Sequence, residues 1–73
     1  MDDSAIARAV RNAGGASALA RILNVTPGLV SQWVTGRRPV AAIHCLAIEA
    51  ATAVSRHELR PDVFGSESDS EAA

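Results

Sequence analysis

The chain has 73 residues, of which one is cysteine, two are histidine and 3% are aromatic. A chain of this length forms a single domain. So few aromatic and histidine side chains provide little material for a catalytic pocket, which favours a binding protein over an enzyme. The single Cys45 excludes an internal disulfide framework and a cysteine-based zinc site, and we expect neither a metal nor a cofactor.

Charge is distributed unevenly along the chain. The formal net charge is −1, yet the segment from Ser4 to Phe64 contains seven arginines against three carboxylates and so carries +4. The remaining acidic residues lie at the two ends. We therefore expect a basic folded domain over residues 1–64 and a disordered acidic tail over residues 65–73. The tail either serves only solubility or weakens non-specific binding by repelling phosphates.

No membrane association is expected. An apolar run of ~20 residues is needed to span a bilayer, and no stretch of this sequence approaches that length. The start of the chain, Met1-Asp2-Asp3, is acidic where a signal peptide would be basic. These features predict a cytoplasmic protein.

The spacing of apolar residues up to Phe64 predicts an all-α domain of five helices. The first helix begins after Asp3 or Ser4, either of which can cap it, and ends at Gly14-Gly15. A second helix runs from about residue 16 to 23. The side chains expected to face inward in these two helices are Ile6, Ala9, Val10, Ala13, Leu19, Ala20 and Leu23.

The third helix has the clearest boundaries. Asn24 tolerates the left-handed backbone region and can turn the chain sharply after the second helix. Thr26 is a good N-cap, Pro27 suits the first helical position, and Gly36 can end the helix in a left-handed conformation. The second and third helices therefore form a helix-turn-helix over about residues 16–38.

Within this motif the third helix is expected to pack through Val30 and Trp33, which lie three residues apart. Trp33 is interpreted as a core residue rather than a stacking platform for bases. The opposite side of the helix then projects outward, where it can enter a major groove ~12 Å wide.

A fourth helix is predicted over residues 40–53, and Ser55 with Glu58 has the spacing of a capping box that starts a short fifth helix, which Pro61 must stop. A β-hairpin in place of the last helix stays open as an alternative for residues 52–64. The apolar residues expected on one side of the fourth helix are Ile43, Leu46, Ala47, Ala50 and Val54, and Val63 and Phe64 are expected to pack back onto the core.

Several linked motifs resemble the Cro/YdaS-like family of phage and prophage regulators. They are ALARILNVT (residues 18–26), VSQW (30–33), GRRPV (36–40), LAIEAAT (46–52) and RHELRPDVF (56–64). The resemblance implies a compact five-helix lambda repressor-like domain that acts in a bacterial host. It also implies binding to operator double-stranded DNA, usually as a homodimer on a palindromic site. Relatives often carry long polar side chains where this chain has Pro27 and Gly28.

The resemblance also implies which residues face the major groove, and these lie on the side of the third helix opposite Val30 and Trp33. The side-chain amide of Gln32 is the best base reader, because it can pair with adenine N6 and N7 and contribute ~1–3 kcal/mol of discrimination. The predicted base-contacting residues are Thr26, Pro27, Gly28, Ser31, Gln32 and Thr35.

Phosphate contacts are expected from Ser17, together with the backbone N–H groups at the start of the second helix, and from Arg21, Arg37 and Arg38. The alternative for Arg37 and Arg38 is a solvated pair on a loop. The fourth and fifth helices offer more apolar area than one small core needs, which predicts a dimer interface. The residues assigned to it are Ile43, Ile48, Val54, Leu59 and Phe64.

Two other functions stay open. An antitoxin-like regulator would also bind a protein partner through its C-terminal part, which the acidic tail suggests. A helical interaction module that has lost DNA binding is suggested by Pro27-Gly28 and by the negative net charge.

Overall fold

The computed structural model describes residues 4–65 and folds them into six helices, with no strand in that range. The all-α class is therefore confirmed, and the β-hairpin considered for residues 52–64 is excluded. After Gly65, the predicted acidic tail lies outside the described residues. No helix between residues 4 and 65 is long and apolar enough to cross a membrane. The helices are α1 (Ala5–Ala13), α2 (Ala16–Leu23), α3 (Pro27–Thr35), α4 (Ala42–Thr52), α5 (Arg56–Leu59) and α6 (Pro61–Phe64).

The sixth helix arises because the predicted last helix divides at Pro61. Arg60 precedes the proline and has φ −140° and ψ 72°, a non-helical conformation that ends α5, since a following proline disfavours the α region. Pro61 lacks an N–H group but suits the first position of a helix, so a new turn begins at once. The imidazole Nδ1 of His57 lies 3.1 Å from the Phe64 carbonyl oxygen and holds this last turn against α5.

The core lies where α1, α2, α3 and α4 meet. Its largest fully buried side chains are those of Leu19, Val30, Cys45 and Ile48. Burying a side chain of this size contributes about 1.5–3 kcal/mol, so these few residues supply much of the stability of a domain this small. Ala20 is 1% exposed, which agrees with its predicted inward orientation.

Four of the five apolar residues predicted on one side of α4 lie on its exposed side, and the fifth, Val54, follows the helix and is buried. Ile43 is 84% exposed and Leu46 is 56% exposed, whereas the buried side of the helix consists of Cys45, Ile48 and Thr52. The helix is apolar on nearly every side, so the spacing of its apolar residues did not identify the buried face. Thr52 is accommodated inside because its hydroxyl donates to the Ile48 carbonyl at 2.7 Å.

This geometry also corrects the predicted dimer interface. Ile48, Val54 and Leu59 are at most 9% exposed and belong to the core of the protomer itself, so their side chains are not available to a second copy. Phe64 packs partly against the same core. The core of the protomer thus uses apolar residues that the sequence suggested were in excess. Of the five residues predicted for the dimer interface, only Ile43 is exposed.

The end of α4 has an unusual backbone. Ala53 adopts φ 63° and ψ 11°, which lies in the left-handed region that disfavours residues with a Cβ. The conformation is held from both sides, because Asn12 Nδ2 of α1 donates to the Thr52 carbonyl at 3.0 Å and the Val54 N–H donates to Thr52 Oγ1 at 3.3 Å. The connection between α4 and α5 therefore stores backbone strain.

Replacing Ala53 with glycine is expected to raise the free energy of unfolding by about 0.5–1 kcal/mol. Glycine removes the steric penalty at positive φ, and the gain is partly offset by the greater conformational entropy of the unfolded chain. A gain of 1 kcal/mol corresponds to a rise in Tm of roughly 4–8 °C for a domain of this size, which thermal denaturation followed by circular dichroism measures.

The matched control is Ala51→Gly, at an exposed position inside α4. Here glycine is expected to destabilise by roughly 0.5–1 kcal/mol, because it only adds freedom to the unfolded chain. Destabilisation of similar size by both variants would contradict the assignment of strain to Ala53.

Candidate nucleic-acid interface

The turn between α2 and α3 sets the direction of α3. Asn24 has φ 58° and ψ 44°, the left-handed conformation predicted for it, and the N–H of Val25 donates to the Ala20 carbonyl at 2.9 Å. Val25 is partly buried against the core, so the corner is closed on its inner side. The chain therefore leaves α2 at a fixed angle.

The start of α3 is capped as the sequence predicts. Thr26 Oγ1 accepts the N–H of Leu29 at 3.2 Å, and Pro27 occupies the first helical position. Gly28 follows with a helical backbone, and a Cβ placed there would meet only Thr26 Oγ1, at 3.9 Å. This end of the helix is thus compact and exposed.

The two sides of α3 differ in burial. Val30 and Trp33 are 0% and 4% exposed, so this side is fixed in the core. On the opposite side Gln32 is partly exposed, and its side-chain amide makes no hydrogen bond to another residue in the range 4–65. The other predicted base-contacting residues are all exposed: Thr26, Pro27, Gly28, Ser31 and Thr35. The structure brings the six together on one accessible surface, which we call the α3 polar face.

The end of α3 carries two arginines on a short connection. Gly36 has φ 81° and ends the helix. The carbonyl of Gln32 then accepts the N–H of Arg37 at 2.9 Å and the N–H of Arg38 at 3.2 Å. Both arginine backbones are therefore attached to α3 itself, beside its polar face.

The N-terminus of α2 offers backbone donors near the same motif. Its N-cap is Gly15, which has no side chain to accept a hydrogen bond, and Ser17 in the first turn is exposed. In the described part of the chain, the N–H groups of Ala16, Ser17 and Ala18 have no acceptor. Free N–H groups at a helix start favour an anion such as phosphate.

Each carboxylate between residues 4 and 65 is paired with an arginine outside residues 16–38. Hydrogen bonds from these arginines lower the pKa of each carboxyl group, for Glu49 chiefly through the backbone N–H of Arg56 and for the other two through the guanidinium. The pairs are Glu49 with Arg56, Glu58 with Arg8 and Asp62 with Arg60. The negative charges of the folded part are thus compensated by arginines other than those of the helix-turn-helix.

The arginines of the motif have a different environment. Arg21, Arg37 and Arg38 are exposed, and none forms an ion pair with a carboxylate of the described chain. Their charge is directed to solvent around the α3 polar face, a distribution that attracts a polyanion.

One contact near this surface was not predicted from the sequence. Arg60 Nη1 donates to the carbonyl of Val40 at 2.7 Å and thereby ties the junction of α5 and α6 to the connection after α3. The two residues lie 20 positions apart, and no local pattern marks the pair.

Comparisons with known proteins agree with this geometry. The family described as bacterial toxin YdaS matches residues 6–68. The chain is 52% identical over 52 residues to a candidate transcriptional regulator, YdaS, of Escherichia coli strain K12, in a match that covers 68% of this chain and 53% of the relative. The chain therefore spans about half the length of that curated relative.

A solved structure is also similar. It is the Cro protein from a candidate prophage element, Xfaso 1, in Xylella fastidiosa strain Ann-1. It has a TM-score of 0.79 and 45% sequence identity, and the match covers 86% of this chain and 98% of that one. These findings confirm the family resemblance and the fold that the motif sequences predicted, with six helices in place of five.

Removing the cap of α3 is expected to destabilise the domain. Thr26→Ala deletes the acceptor for the Leu29 N–H, which typically lowers the free energy of unfolding by about 0.5–2 kcal/mol. Urea denaturation followed by the fluorescence of Trp33 measures the change. Ser31→Ala, at an exposed position of the same helix with no hydrogen bond to the side chain, is the control and should stay within about 0.5 kcal/mol of the unmodified protein.

Proposed function

The chain belongs to the family described as bacterial toxin YdaS, and on this premise we propose that it is a sequence-specific DNA-binding transcriptional regulator, most simply a Cro-like repressor of a palindromic operator. The observation that carries the proposal is the separation of charge on the folded domain. Arg21, Arg37 and Arg38 surround the α3 polar face without ion pairs among residues 4–65, while the carboxylates of that range are paired elsewhere.

In this proposal the α3 polar face contacts base edges in the major groove. Gln32 reads adenine through its free amide, and Ser31 and Thr35 act as short donors or acceptors. Pro27 and Gly28 have no polar side chain, so they let the helix backbone come close to the groove and contact a thymine methyl group. Thr26 lies at the exposed start of the same face.

Phosphate contacts set the register of the complex. The free N–H groups at the start of α2, with the hydroxyl of Ser17, suit one phosphate. Arg37 and Arg38 suit the backbone beyond the other end of α3, and Arg21 extends the positive surface along α2. Together these groups frame the base-contacting helix.

We also infer that two copies bind together, since a palindromic site requires a two-fold symmetric protein. The exposed side of α4 supports this, because Ile43 and Leu46 are both large, apolar and solvent-exposed, and they lie on one helix with the exposed Ala47 and Ala50. This α4 apolar face replaces the interface predicted from the sequence, most of which is buried in the protomer.

The same proposal places the chain in the cytoplasm of a bacterial host and assigns it binding rather than catalysis. Cys45 is buried, and burial raises the pKa of its thiol, which makes it a poor nucleophile. In the range 4–65 no three His, Cys, Asp or Glu side chains lie close enough to hold a metal ion.

Two substitutions are expected to separate base reading from phosphate binding. Gln32→Ala should reduce the ratio of operator to random-DNA affinity by about 5- to 150-fold, the equivalent of ~1–3 kcal/mol. Arg38→Ala should weaken binding to both kinds of DNA equally and reduce the slope of log K against log salt concentration by ~1. Selection from random duplexes supplies the operator, and fluorescence anisotropy at several salt concentrations measures both quantities.

Arg56→Ala is the control, because Arg56 lies outside the helix-turn-helix and its guanidinium is engaged by Glu49. It should leave the discrimination and the salt slope unchanged. Equal losses on operator and random DNA for both Gln32→Ala and Arg38→Ala would contradict the assigned roles. Absence of duplex binding at ~50 mM salt would refute DNA binding and favour a protein-interaction module.

Ile43→Glu is expected to disrupt self-association while preserving the fold, because the side chain is 84% exposed in the protomer. Analytical ultracentrifugation should find a monomer, and binding to a full palindrome should fall toward that of a half-site. Val63→Glu introduces the same charge at an apolar position of α6 that is 49% exposed, and should have neither effect. An unchanged mass and unchanged palindrome affinity for Ile43→Glu would rule out the α4 apolar face.

A further inference from the structure

The guanidinium of Arg60 connects three parts of the fold. Its Nε and Nη2 donate to the two carboxylate oxygens of Asp62 at 2.9 and 2.7 Å, and its Nη1 donates to the carbonyl of Val40 at 2.7 Å. The side chain is 19% exposed, so the group is largely enclosed by the contacts it makes. Arg60 is thus held by α6 and in turn holds the chain before α4.

The segment that Arg60 holds carries two of the three motif arginines, Arg37 and Arg38. Residues 36–39 are all exposed, and Val40 returns to the core at 5% exposure. At its first end the segment is fixed by the carbonyl of Gln32, which accepts two backbone N–H groups. At its second end the fixed points are the Val40 side chain and the hydrogen bond from Arg60. Four exposed residues are therefore held between two anchors.

The chemistry of this second anchor requires arginine. A guanidinium is planar and presents its donors in a rigid fork, so it can bind a carboxylate with two of them and direct a third to a carbonyl. An ammonium group has no such fork and is a point charge on a flexible stem. Lysine at position 60 would keep the charge but not this arrangement.

We propose that Arg60 is a positioning residue for DNA binding. From the junction of α5 and α6 it fixes the C-terminal end of residues 36–40. Arg37 and Arg38 are therefore already ordered when they meet the DNA backbone. The inference rests on the proposed function, because it concerns the phosphate contacts of that function. Arg60 itself acts through the segment and needs no contact with DNA.

The first test measures the segment without DNA. In the full chain, Arg60→Gln and Arg60→Lys should both speed amide hydrogen exchange at Arg37 and Arg38, by about 10-fold or more, since exchange reports local opening. Arg56→Gln breaks an ion pair of the same kind on α5 and should leave these amides unchanged. Unchanged exchange in both Arg60 variants overturns the inference.

The second test is a double-mutant cycle on DNA affinity. Arg60→Lys should weaken operator binding on the order of 10-fold in the unmodified background. Arg37 and Arg38 would then have to become ordered on binding, which costs free energy. In a background of Arg37→Ala with Arg38→Ala the same change should have less than about a 2-fold effect, since coupled residues are not additive. Equal effects in the two backgrounds overturn the inference, because Arg60 would then act independently of the segment.

Folding is checked by thermal denaturation of every variant. If the Arg60 variants do not fold, Asp62→Asn replaces them. Asp62 is exposed, and its substitution removes the negative charge that holds the Arg60 guanidinium. It should accelerate exchange at Arg37 and Arg38 in the same direction, and failure to do so overturns the inference. Absence of DNA binding by the unmodified chain refutes the proposed function. DNA binding by the unmodified chain, with unchanged amide exchange at Arg37 and Arg38 in the Arg60 variants, refutes only the role of Arg60.

Discussion

The burial of Val30 and Trp33 is the constraint on which the remaining geometry depends. Because these two side chains are fixed in the core, α3 can present only one side to solvent, and its polar residues lie on that side. The helix has just nine residues, so its position is determined by packing and by its two ends rather than by its own helical stability. The α3 polar face, which the proposed function places against base pairs, is thus held by contacts made on the opposite side of the helix.

Charge follows the same organisation. The folded part has a positive balance, and its carboxylates are engaged by Arg8, Arg56 and Arg60 rather than by the arginines of the motif. Exposed ion pairs of this kind contribute little to stability, typically 0–1 kcal/mol each. Their larger effect is on the distribution of charge, because each carboxylate is compensated locally by Arg8, Arg56 or Arg60 and the arginines of the motif stay without a carboxylate partner among the described residues.

The sequence predicted those features that depend on local chemistry. The left-handed Asn24, the Thr26 cap with Pro27 after it and the end at Gly36 each follow from a preference of a single residue, and all were found as expected. The buried face of α4 could not be predicted, because a helix that is apolar on most sides has no periodic signal. The Arg60 contact depends on the folded chain bringing distant residues together, which no local pattern records.

The backbone at Gly28 is that of an ordinary helix, and the space around its Cα is open apart from the hydroxyl of Thr26. The architecture therefore does not require glycine at this exposed site. Under the proposed function, a mutation that introduces a longer polar residue there adds a reader of DNA sequence while the scaffold stays intact. A single amino-acid change at this position would then be enough to alter the operator preference of this chain.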